Sequence, residues 1–81
     1  MKVLVTFHSY FRDLTGATQV LEDVPSGTTL GELVHSLQKR FPKLKSMERS
    51  TLMAVDVEYQ TRDYQLHDGD EVSLFPPVQG G

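Results

Sequence analysis

The sequence predicts an α+β domain in which a mixed β-sheet packs against one main helix. β-branched, alternating segments lie near both ends, an amphipathic stretch at helical spacing lies between them, and turn residues separate the segments. The order is strand, strand, helix, strand, strand, and the helix must bury its apolar stripe against one face of the sheet. This is the β-grasp layout.

The first strand is predicted over residues 2–8 and the second over residues 18–24. Both stretches contain β-branched residues at alternate positions, so that these side chains would lie on one face of a strand. Residues 14–16 supply a turn, so the two strands are expected to form a hairpin. Pro25-Ser26-Gly27 closes the second strand.

The helix begins with the spacing of a capping box, in which Thr29 and Glu32 satisfy each other's free backbone N–H groups. Pro42 ends it. His35 lies off the apolar stripe, which predicts a surface histidine. The stripe recurs at i, i+3, i+4, i+7 and i+11 and contains Leu30, Leu33, Val34, Leu37 and Phe41.

The third strand is predicted over residues 52–59, with its inward register left open because residues 52–55 are all apolar. Residues 66–70 form a turn in which Gly69 can take a positive φ. The last strand covers residues 71–75, and Pro76-Pro77 stops it because neither proline can donate a ladder hydrogen bond.

Composition excludes several classes of function. A net charge of −3 argues against nucleic-acid binding, and the lack of cysteine removes disulfides, thiolate metal sites and a thiol nucleophile. No run reaches the roughly 20 apolar residues that span a bilayer, so a cytoplasmic protein is expected. Five of the eight basic residues lie within 39–49, whereas six acids and one arginine lie within 56–71. The basic group is either a protein-docking pole or a solvated helix end.

A conventional active site is not expected. The three histidines lack metal-ligand spacing, so no metal is predicted, and Ser9 and Ser73 lack a nucleophile setting. Asp68 and Asp70 flank the turn glycine, which favours a structural role.

The sequence predicts a domain over residues 1–75 and a flexible, protruding tail over residues 76–81, whose prolines hold its base clear of the domain. Gly80 and Gly81 have no Cβ and can thread a narrow channel. The α-carboxyl of Gly81, with an ordinary pKa of about 3.3 to 3.7, is ionised at pH 7 and needs activation by another enzyme, for instance as an acyl-adenylate.

Phe75 is an aromatic residue on the outward face of the last strand. In a β-grasp sheet this strand lies beside the first one, so Leu4 and His8 are expected to share an exposed, partly apolar patch with Phe75. A proline that folds over Phe75 is the alternative.

Residues 66–81 resemble the L-x-DGDEV-x-x-FPPV-x-GG ending of the small, sulfur-carrier subunit of molybdopterin synthase, a ubiquitin-like β-grasp family. Residues 7–13, followed by Gly16, resemble that family's early aromatic segment. The chain departs from the family pattern at His8, at Ser9 and at Asp56-Val57.

The resemblance implies that an adenylating, ubiquitin-activating-like enzyme uses ATP to activate Gly81, which becomes a thiocarboxylate. It also implies that the sulfur passes to a cyclic pyranopterin in the active site of the large subunit, so the chain binds no cofactor and is not catalytic alone. The partner-binding residues would be Leu4, His8, Phe75, Pro76, Pro77, Val78 and Gly80.

Three other functions remain open from the sequence. The chain could carry sulfur for thiamine synthesis or tRNA thiolation, or it could modify proteins through an isopeptide bond at Gly81. A plain interaction module whose Gly-Gly ending has no role is the third.

Overall fold

The computed structural model describes residues 1–77, without the side chains of residues 47–49. Its elements in chain order are β1 (Lys2–Phe7), α1 (Phe11–Thr15), β2 (Gln19–Asp23), α2 (Leu30–Arg40), a 3₁₀ helix (Pro42–Ser50), β3 (Leu52–Val55), β4 (Glu58–Tyr59) and β5 (Glu71–Phe75). Within these residues, one sheet runs in the order β2-β1-β5-β3-β4, with β1 and β5 parallel and the other pairs antiparallel. The predicted α+β β-grasp fold is confirmed.

The helix α2 follows its sequence signals closely. The Thr29 hydroxyl accepts a hydrogen bond from the Glu32 N–H at 3.3 Å, and the Glu32 carboxylate accepts one from the Thr29 N–H at 2.9 Å. The stripe is buried in the core from Leu30 to Leu37, and the partly buried Phe41 packs edge-on to Phe7 at a centroid distance of 5.7 Å. His35 is exposed, as expected.

The capping box makes the stability of α2 depend on pH. Hydrogen bonds from the Thr29 N–H and hydroxyl hold the pKa of Glu32 below its ordinary value of 4.5. This stabilisation is complete above pH 4.5 and is lost as the pH falls through the lowered pKa of the folded state. In urea unfolding, the free-energy difference between wild type and Glu32→Gln should therefore be largest near pH 7 and shrink below pH 4.5. A difference that does not change with pH would contradict the assignment.

Two predicted connections differ from the structure. The link between β1 and β2 is longer than a hairpin turn because it contains α1, although the two strands do pair antiparallel. The predicted third strand is two strands, since Asp56 takes a φ of 56° and the chain reverses so that Val55 pairs with Glu58. Asp tolerates the left-handed region better than most residues, which permits the reversal there.

The inward register of β3 is settled by which side chains join the core cluster, because Ala54 is as buried as Met53. Met53 and Val55 belong to the hydrophobic core, whereas Leu52 and Ala54 lie on the opposite face of the sheet. The register pairs Leu52 with Phe75, so the outer face of β3 continues the outer face of β5.

The turn before β5 ties that strand to β1. Gly69 has a φ of 86°, and its N–H donates to the Lys2 carbonyl at 2.8 Å. The Asp68 carboxylate accepts from the Lys2 N–H at 2.7 Å, and the Asp70 carboxylate accepts from the His67 N–H at 2.8 Å. The predicted structural role of both aspartates is confirmed.

Candidate functional site

The outer face of the sheet, opposite α2, presents the polar and partly exposed side of β1 and β5. Leu4 pairs with Glu71 at one end, and the register brings His8 beside Phe75 at the other. Four residues along a strand span about 13 Å. Leu4 and Phe75 therefore share this face, as predicted, but they lie at opposite ends of it rather than in one patch.

Four side chains form an aromatic and aliphatic surface at the end of β5, which we call the tail-base cluster: His8, Leu52, Tyr59 and Phe75. The His8 and Phe75 rings stack with centroids 4.2 Å apart and planes at 14°. The ring centroid of Tyr59 lies 6.4 Å from that of Phe75. The Tyr59 side chain is 71% exposed, and the Leu52 side chain is 37% exposed. Phe75 itself is only partly buried. The cluster offers apolar area to a partner at the point where the tail begins.

The first tail residue packs on the domain. Pro76 is buried and Pro77 is partly buried, so the expectation that both prolines hold the tail base clear of the domain is wrong for Pro76. Proline has no N–H to leave unsatisfied, which makes its apolar ring easy to bury. The predicted site residues Val78, Gly80 and Gly81 lie outside the described residues.

An open groove of about 380 Å³ runs beside the tail base. Two lining residues that no sequence pattern placed there, Ser9 and Tyr10, lie between β1 and α1. The other lining residues are Leu52, Tyr59, Phe75, Pro76 and Pro77. Leu52 reaches this site because β3 pairs with β5. Tyr59 reaches it because the chain reverses at Asp56, so that β4 pairs with β3.

Ser9, which follows β1 by two residues, has a strained backbone conformation beside this groove. Its φ is 55°, in the left-handed region that costs a residue with a Cβ about 1 to 2 kcal/mol. The conformation turns the chain so that the Ser9 carbonyl accepts from the Arg12 N–H at 3.1 Å and starts α1.

Replacing Ser9 with glycine is expected to stabilise the domain by about 0.5 to 1 kcal/mol, because the relief of strain exceeds the added entropy of the unfolded chain. Urea unfolding measures the change. Ser36→Gly, at an exposed position inside α2, is the matched control and should destabilise by about 0.5 kcal/mol. Equal effects at both positions would contradict the strain at Ser9.

Charged residues near α2 are partly engaged within the domain. Arg40 forms an ion pair with Glu22 at 2.6 Å and lies over the Phe41 ring at 5.2 Å. Lys39, Lys43 and Lys45 are exposed. Across the described part of the chain, no group of three or more metal-binding side chains comes together, and no helix is long and apolar enough to cross a membrane.

The family of the chain follows from comparison with known proteins. The model of the ThiS family matches residues 5–81, which takes in the tail-base cluster and the Gly-Gly ending. The chain belongs to the ThiS family. The tail-base cluster and groove are therefore features of a ThiS-family domain.

Two relatives of this ThiS-family chain are molybdopterin synthase sulfur carrier subunits. That of Escherichia coli is 36% identical, with 98% of this chain and 99% of that protein covered. That of Mycobacterium tuberculosis is 35% identical, with 100% of this chain and 99% of that protein covered. A solved complex of subunits 1 and 2 of the molybdopterin-converting factor from Helicobacter pylori contains a similar chain, at 28% identity, a TM-score of 0.71 and full coverage of both chains.

Proposed function

We propose that this ThiS-family chain is the sulfur-carrying small subunit of a molybdopterin synthase. The supporting observation is its end-to-end similarity, above 30% identity, to two sulfur carrier subunits of that enzyme. The tail-base cluster adds a physical reason, since it places apolar surface next to the start of the tail.

In this proposal the chain delivers a reactive group and other proteins perform the catalysis. A carboxylate oxygen of Gly81 attacks the α-phosphate of ATP in an adenylating enzyme, and pyrophosphate leaves. Hydrosulfide from a sulfur donor then attacks the acyl carbon and displaces AMP, which gives a C-terminal thiocarboxylate. In the large subunit the sulfur passes to a cyclic pyranopterin, and water supplies the oxygen that restores the Gly81 carboxylate. ATP is consumed by the adenylating enzyme rather than held as a cofactor.

The two parts of the site have different tasks. Phe75, His8 and the neighbouring residues of the tail-base cluster dock the partner, and Pro76, Pro77 and Val78 direct the chain toward its reactive centre. Gly80 and Gly81 thread the channel because they carry no side chain. Docking holds the carboxyl group near the reacting atoms. This positioning lowers the activation barrier of the transfer.

Intact-protein mass spectrometry tests the proposal. The full chain is incubated with the adenylating enzyme, ATP and a sulfur donor, and a sample without ATP is the control. We expect one terminal oxygen to be replaced by sulfur only when ATP is present, and addition of the large subunit with the cyclic pyranopterin should return the chain to its carboxylate form.

Two other results would overturn parts of this proposal. A thiocarboxylate that reacts in a thiamine or tRNA thiolation assay, but not with the pyranopterin, would assign the carrier to another pathway. Lysine-linked conjugates in cells without any thiocarboxylate would identify a protein modifier.

A further inference from the structure

The outer face of the sheet carries a second apolar surface, which we call the leucine patch: Leu4 and Leu21. These residues face each other across the antiparallel pair of β1 and β2. Leu21 is 60% exposed, and Leu4 is partly exposed. Both line an open groove of about 630 Å³. Single exposed leucines are common on protein surfaces, but two that face each other in a groove form a continuous apolar floor.

A polar row separates the leucine patch from the tail-base cluster. Thr6 pairs with Ser73 in the parallel register and with Gln19 in the antiparallel one. The Gln19 amide donates to the Thr6 hydroxyl at 3.1 Å. The two apolar surfaces are therefore distinct, although both lie on the same face of the sheet.

Three carboxylates and two cationic groups, the Lys2 side chain and the amino group of Met1, line the groove around the leucine patch, so its net charge is negative. Asp23, Asp68 and Glu71 line the groove and are exposed, and Asp23 lies 3.7 Å from the amino group of Met1. The acidic side continues beyond the groove, because the Asp56 carboxylate accepts a hydrogen bond from the Glu71 N–H at 3.3 Å.

We propose that the leucine patch is a second docking surface, which binds a basic segment of a partner protein through one aliphatic anchor side chain. The anchor covers the two leucines, and the flanking cations lie against Asp68 and Glu71. Apolar contact supplies the affinity. The carboxylates that line the groove favour a partner segment of positive charge. This surface does not depend on sulfur loading, so it goes beyond the proposed function.

Leucine-methyl NMR of the full chain tests the docking surface with three matched peptides. The probe is acetyl-Arg-Leu-Arg-amide, and the controls are acetyl-Glu-Leu-Glu-amide and acetyl-Arg-Ser-Arg-amide. We expect the probe to shift the methyl resonances of Leu4 and Leu21, while both controls leave them nearly unchanged. The shifts should weaken as salt is added, because exposed charge pairs are screened.

Two substitutions separate the apolar contribution from the charged one. Leu21→Ser and Glu71→Lys should each weaken binding of the probe by about tenfold, the loss expected for one exposed aliphatic contact or one close charge pair. Val57→Ser is the matched control, because Val57 is 94% exposed and lies in the turn between β3 and β4. Its affinity for the probe should equal that of the wild type.

Three results would overturn the inference: equal shifts with the acidic peptide, shifts confined to the tail-base cluster, or undiminished binding by Leu21→Ser. Thiocarboxylate formation is measured separately on the wild-type chain. A failure of loading would therefore count against the sulfur-carrier proposal alone.

Discussion

Deletion of Gly81 is expected to lower the rate of thiocarboxylate formation by more than about 100-fold. The deletion withdraws the terminal carboxyl group by about 3.3 to 3.6 Å, the length of one extended residue. A misplacement of about 1 Å can already cost 100-fold in a reaction that depends on positioning. The initial rate is read from intact mass spectra after incubation with the adenylating enzyme, ATP and the sulfur donor.

Two controls make this result specific. Gln79→Ala keeps the chain length and should be loaded at close to the wild-type rate, which separates the position of the carboxyl group from general sensitivity of the tail. A thermal unfolding scan of the deletion variant should match that of the wild type. If the shortened chain were loaded at the wild-type rate, the proposed role of Gly81 would have to be abandoned.

Replacing Phe75 with alanine is expected to weaken binding to the large subunit by about 30-fold, which corresponds to about 2 kcal/mol. Phe75 is partly exposed, stacks on His8 at 4.2 Å and lies directly before the tail. Aromatic residues at the centre of an interface commonly contribute this much. Isothermal titration calorimetry with the purified large subunit measures the affinity.

The Phe75 variant also loses the stacked pair, so its folding must be checked by urea unfolding under the conditions of the titration. Val57→Ala is the control for an exposed apolar residue outside the tail-base cluster, and its affinity should be unchanged. An unaltered affinity of Phe75→Ala would show that docking does not use the tail-base cluster.

Elements that depend on local interactions could be predicted from the sequence. The helix α2 is an example, because its capping box joins residues three apart and its stripe repeats every three or four residues. The turn at Gly69 is another, since it needs only a residue that accepts a positive φ. The position of Phe75 on the outer face followed from strand alternation alone.

The adjacency of β1 and β5 was predicted, but the register between distant segments and the reversal after β3 were not. The tail-base cluster includes Leu52 and Tyr59 because β3 pairs with β5 and then reverses at Asp56. Leu4 was expected to share one patch with Phe75, but the register places it opposite Glu71 and Leu21, at the other end of the same face. The sequence pattern did not predict the burial of Pro76.

The position of β5 has a mechanical consequence. This strand leads into the tail, and it lies in the interior of the sheet with β1 on one side and β3 on the other. A pull on the tail along the strand axis would load the backbone hydrogen bonds of both ladders together, in shear, rather than opening them one after another from an edge. A protein that pulls the tail into its channel would therefore act against two hydrogen-bond ladders at once. The force would extend the tail before it unfolded the domain.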